Sequence, residues 1–166
     1  MSSYNHTAVL GGGQNFAITL SDGSIFSFTL SGTSTNASVI AAAIAPAWTG
    51  AATGNTAFVD IPGQPILYPS GGGTIVLTLS NVMVTPPNNV VSTGQFKLVV
   101  ADAESTNNSE SLTFGTNGGV WELVDQVPPI SGSIYPTANG TGTSTFITTG
   151  VAGTVGSFIM GSLSPT

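Results

Sequence analysis

Short runs of β-branched and aromatic residues, broken about every ten residues by Gly, Pro, Asn and Ser, predict an all-β chain of sandwich type. A chain of 166 residues suits one hydrophobic core. Its Gly and Pro clusters are short and sit where turns belong, so they read as loops rather than linkers. The expected architecture is a single two-sheet β-sandwich over residues 1–166, jelly-roll or immunoglobulin-like, with 1–13 an N-terminal extension available for subunit contacts.

Residues 14–20 and 24–30 flank Ser21-Asp22-Gly23, where Asp-Gly supplies the positive φ of a tight hairpin. Phe16, Ile18 and Leu20 alternate with Ala17 and Thr19, and Phe26, Phe28 and Leu30 with Ser27 and Thr29, which gives each strand one apolar face. Residues 36–45 read as one short helix capped by Asn36, with Val39, Ile40 and Ile44 on one side and Pro46 ending it. Further strands are expected over 57–61, 74–79 and 82–85, separated by Pro62, Pro65, Pro69 and Gly71-Gly72-Gly73. The nearly continuous apolar run 94–103 reads as a central strand covered on both faces. Residues 111–114 and 120–124 flank Gly115-Thr116-Asn117-Gly118-Gly119 and read as a second hairpin, with Trp121 directed into the core. Strands over 130–135, 144–149 and 154–160 complete a set of ten or eleven.

Composition excludes several function classes. Charged residues are 5% of the chain, Lys97 is the sole Lys, Arg is absent and the net charge is -6. One Lys cannot grip a phosphate backbone or an anionic membrane surface, so nucleic acid is not an expected partner. No apolar run approaches the 18 or so residues of a membrane span, so no membrane insertion is expected. The first residues have neither a basic nor an apolar signal region, so no signal peptide of the usual kind is read there. With no Cys, disulfides, thiolate metal sites and thiol catalysis are excluded. A chain with a single tryptic site suits an exposed exterior, and the expected location is extracellular or surface-exposed.

Candidate chemistry is sparse. His6 is the only His, it lies near the terminus, and a general base must be held rigidly. No Gly-x-Ser-x-Gly elbow offers it a nucleophile, so the chain is not expected to be an enzyme. Five of the seven acids lie between Asp102 and Asp125. Paired carboxylates there would suit glycoside hydrolysis, but a solvated polar loop explains them more simply. The same loop places oxygen ligands on alternate residues, and Asp102, Glu104, Asn108 and Glu110 form a candidate calcium site, the one cofactor considered. It departs from the EF-hand pattern, since Asn107 stands at the sixth position and Thr113 at the twelfth. Lys97, alone on an apolar strand, is either paired with an acid such as Asp102 or Glu122 or cross-linked through an isopeptide bond to an Asn or Asp. Trp48 and Tyr68, beside Pro- and Gly-rich loops, are candidates for stacking on a sugar. Asn5, Asn36, Asn107 and Asn139 open Asn-x-Ser/Thr sequons, at a frequency close to chance in so Ser- and Thr-rich a chain.

These readings converge on a non-enzymatic structural protein that assembles with copies of itself into a filament, surface layer or particle coat. Few ionisable groups are available for catalysis, little charge repels neighbouring copies, and edge strands lack the Lys residues that commonly block strand addition. Residues 7–20 are the expected donor strand. The alternative is a carbohydrate-binding module or lectin with glycan as partner.

Overall fold

The structure is a computed structural model that describes residues 3–35, 39–42, 66–69, 72–88, 94–102, 106, 110–129, 132–153 and 155–166. It is all-β, with eleven strands and one short helix among the described residues. In chain order these are α1 (His6–Leu10), β1 (Gln14–Thr19), β2 (Ile25–Thr35), β3 (Val39–Ala42), β4 (Ile66–Pro69), β5 (Thr74–Thr85), β6 (Lys97–Ala101), β7 (Ser111–Gly115), β8 (Glu122–Val127), β9 (Thr137–Asn139), β10 (Thr145–Thr149) and β11 (Ser157–Leu163). They fall into two compact units, α1 to β5 and β6 to β11.

In the first unit β1, β2 and β5 form an antiparallel sheet with β2 in the middle. The Asp-Gly hairpin joins β1 to β2 as the sequence predicts: Gly23 takes φ 84°, and the Leu20 N–H donates to the Ser24 carbonyl at 2.8 Å. Asp22 accepts from both the N–H and the hydroxyl of Ser24, which closes the turn. Phe16 and Phe28 are cross-strand partners, both buried, with ring centroids 5.3 Å apart. Residues 74–85, expected as two strands, are one long strand. Asn81 absorbs the irregularity at φ 54°, a left-handed conformation that Asn tolerates, and the register with β2 shifts there.

Two parts of this unit differ from expectation. Residues 39–42 form β3, paired with β4, instead of a helix over 36–45, because β-branched Val39 and Ile40 suit a paired strand and a partner is at hand. Asn36 and the strand expected over 57–61 lie outside the described residues. The helix forms instead at His6–Leu10, where Asn5 caps it by accepting from the Ala8 N–H. The N-terminal stretch is thereby folded onto its own unit, with Val9 completely buried. Gln14 fastens it further, accepting from the Asn5 N–H at 2.8 Å and donating to the Ser3 carbonyl at 2.5 Å.

In the second unit, β7-β10-β9 and β6-β11-β8 are two three-stranded antiparallel sheets. Phe114 of β7 and Phe146 of β10 meet Val100 of β6 and Phe158 and Met160 of β11 in one core cluster. Trp121 is buried in the same cluster, as predicted, with its ring edge toward Phe114. This is sandwich packing, two sheets sharing one apolar interior.

The second hairpin does not form. β7 pairs with β10, and β8 with β11, so the Asn-Gly segment carries the chain from one sheet to the other. Side-chain and backbone bonds hold that crossing. The Ser162 hydroxyl, buried on β11, bonds Thr116 Oγ1 at 2.7 Å and donates to the Gly119 carbonyl at 2.6 Å. The Trp121 backbone N–H donates to the Thr143 carbonyl at 2.8 Å. Gly118 is obligatory, since a Cβ there would meet the Leu163 carbonyl oxygen and Pro165.

The apolar run around Lys97 is also corrected. β6 is an edge of its sheet among the described residues, with β11 central, and Val99 is 49% exposed. The run has one inward face, carrying Leu98 and Val100, and its continuity conceals that alternation. Finally, the strand expected over 130–135 is displaced to β9. Ile130 and Ser131 lie outside the described residues, and Ile134 instead accepts from the Gly156 N–H.

Candidate functional site

A concave surface lies where α1 and its following glycines cross the β1-β2-β5 sheet, on the face opposite Phe16 and Phe28. Alternation puts Thr29, Ser31 and Thr33 of β2 on that face. Register sets Ser31 beside Thr78 and Thr33 beside Val76 of β5. α1 lays Val9 and Leu10 against one side, and the chain turns back over β2 through Gly12 and Gly13, at φ 145° and 107°. A Cβ on Gly13 would press within 3.1 Å of the Thr29 methyl, so the loop approaches the sheet as closely as glycine permits. The result is an open groove of about 250 Å3 with no ionisable group among the described residues of its lining.

Hydroxyl groups on this face fall into two sets. At one end Thr29 donates to Asn15 Oδ1 at 2.8 Å and accepts from Asn81 Nδ2 at 3.2 Å, a ladder across all three strands. At the groove, Ser31, Thr33 and Thr78 make no comparable side-chain hydrogen bond among the described residues. The sequence shows the alternation that creates this face, but Ser and Thr are so abundant that nothing in it singles out these three.

Lys97 is ion-paired, with its Nζ 2.7 Å from Glu122 Oε2. The two residues stand on β6 and β8, with β11 between them. Gly161 of β11 makes that reach feasible, since a Cβ there would lie 2.7 Å from Lys97 Cδ and 2.9 Å from a Val124 methyl. The hydrogen bond from Lys97, and then its charge, hold the Glu122 carboxyl below the ordinary carboxylate range. The neighbour that the structure gives this amine is therefore a carboxylate in water.

Of the calcium candidates, Asp102 and Glu110 are described, whereas Glu104 and Asn108 lie outside the described residues. The Asp102 carboxylate accepts from the buried Thr106 hydroxyl, and its carbonyl accepts from Ser157 Oγ at 3.1 Å. The Glu110 carbonyl accepts from the Gly150 N–H at 2.9 Å. Among the described residues no group of three His, Asp or Glu side chains gathers for a metal.

The sugar-stacking and sequon candidates are scattered. Trp48 lies outside the described residues, and Tyr68 is placed on β4 with its side chain undescribed. Asn5 caps α1, and Asn139 is exposed at the end of β9, before a turn through Gly140 at φ 95°. Asn36 and Asn107 lie outside the described residues. His6 is the first residue of α1.

No curated protein and no solved structure matches the chain. A family model described as surface adhesin CshA non-repetitive domain 2 matches residues 2–163, across both units. The chain belongs to that family.

Proposed function

We propose that this chain is a non-enzymatic adhesion module of an extracellular surface protein. The family match over residues 2–163 carries the reading, because the family is named for a domain of a surface adhesin and spans nearly the whole chain. The chemistry agrees with it. The one Lys is committed to an ion pair, and few ionisable groups remain to act as acid or base. No helix among the described residues is long and apolar enough to cross a membrane.

Filament assembly by strand lending is the competing reading. Its donor, residues 7–20, is engaged at home: β1 makes six register pairs with β2, Phe16 stacks on Phe28 and Val9 is buried. Lending it would empty those contacts, which favours binding to a foreign ligand over exchange between copies.

The test is retention under flow. Beads coated with the purified protein are expected to stay on cultured cell layers or deposited extracellular matrix at shear that removes albumin-coated beads, while light scattering shows a discrete species across dilution. Retention no better than albumin, or filaments that survive dilution, would overturn the reading.

A further inference from the structure

We infer that the groove between α1 and the outward faces of β2 and β5 binds a neutral saccharide unit, which names the ligand class for the adhesion reading above and rests on it. Ligand charge is the first discriminator. Among the described residues the groove lining holds no ionisable side chain, the sole Lys of the chain stands on β6 of the other unit, and the chain as a whole carries -6, so an anionic ligand would meet a net repulsion. A cationic ligand would find no carboxylate among the described residues of the groove either.

The second discriminator is hydrogen-bonding character. Ser31 and Thr78 face each other across the ladder, and Thr33 follows one step along β2. Each hydroxyl both donates and accepts, which matches the hydroxyls of a sugar and serves an aliphatic ligand poorly. Their neighbours Thr29, Asn15 and Asn81 are bonded to one another, so capacity remains at the groove end of the same face. Val76, opposite Thr33, and Leu10 on α1 supply apolar surface for the C–H side of a pyranose ring. Gly12 adds no side chain to obstruct entry.

Size is the third discriminator. Drug-sized ligands occupy pockets of roughly 300–1,000 Å3, and a groove of about 250 Å3 is below that range. It suits one sugar ring with the remainder of a glycan extending into water through the open side.

The experiment is an NMR titration of the full chain with D-galactose, D-glucose, D-mannose and N-acetyl-D-glucosamine, with sialic acid as the charged control. At least one neutral sugar is expected to shift the amides of Gly12, residues 31–33 and residues 76–78, while sialic acid does not. Thr33→Val with Thr78→Val keeps side-chain volume and strand propensity, and is expected to weaken that sugar at least tenfold with the rest of the spectrum unchanged. Thr78→Tyr, which fills the groove, is expected to abolish binding. Absence of shifts with all four neutral sugars, shifts centred elsewhere, or unchanged affinity in the double variant would overturn the inference. Bead retention separates the two readings: coated beads that hold equally well with and without the Thr variants keep the adhesion reading and remove the groove as its site.

Discussion

Gly161 does at residue scale what no charged residue does alone. It leaves open the surface of the central strand β11, across which the Lys97 stem reaches Glu122 on the far strand. Gly161→Ala is expected to push that stem aside and part the ion pair. The Glu122 carboxyl, read by carbon-detected NMR, then returns upward toward the ordinary range, and any fall in melting temperature comes from displacing Val124, because the pair itself is exposed to water. Among the described residues two exposed carboxyls are held low by their neighbours. Asp22 is held low by the Ser24 N–H and then the Ser24 hydroxyl, and Glu122 by Lys97. Their folded-state values are depressed, so their contribution is complete above the ordinary carboxylate range near about pH 4 and is lost as pH falls through the lowered values. Because both groups are exposed to water, denaturant midpoints measured from pH 7 downward are expected to fall only modestly below about pH 4, and Asp22→Asn combined with Glu122→Gln is expected to flatten their share of that fall. An unaltered acid limb in the double variant would contradict the assignment. Gly140 is the sharpest steric case: at φ 95°, a Cβ would run into the Thr145 carbonyl. Gly140→Ala is expected to cost on the order of 1–3 kcal/mol in chemical denaturation.

At element scale, legibility followed the range of the forces. The β1–β2 hairpin was readable because Asp-Gly and two alternating faces are local signals, and both survive in the fold. The Asn-Gly segment after β7 carries similar turn chemistry yet joins two sheets. Its outcome is decided by Ser162, Thr143 and Leu163, which are distant in sequence. β3 is strand rather than helix for the same reason, since its partner β4 lies far along the chain. α1 leaves little trace in the sequence, because five residues carry too little periodicity and Asn5 reads equally well as a sequon and a cap. The core was legible at Trp121. Phe146 is the most demanding side chain beside it, almost wholly buried and in ring contact with both Phe114 and Phe158. Phe146→Ala is expected to cost about 3–5 kcal/mol, read as a lowered denaturation midpoint. The candidate site was less legible. The ring and calcium candidates stand out by residue type, whereas the groove is built from Ser, Thr, Gly, Val and Leu, which are common everywhere in this chain.

For the whole molecule, the scarcity of ionisable groups, 5% of the chain with a net charge of -6, is the property that connects sequence to function. The chain carries one Lys, no Arg and seven acids, so it has few groups for acid or base work and no cluster of cations. That composition is compatible with membership of a surface-adhesin family. The most direct measurement is retention under flow of beads coated with the native chain, beside beads coated with Phe146→Ala protein. Strong retention of the native beads, lost with the core variant under conditions where it is unfolded, is the expected result, since adhesion would then depend on the folded β-body. Native beads that wash away like albumin, or variant beads that hold as well as native ones, would contradict it.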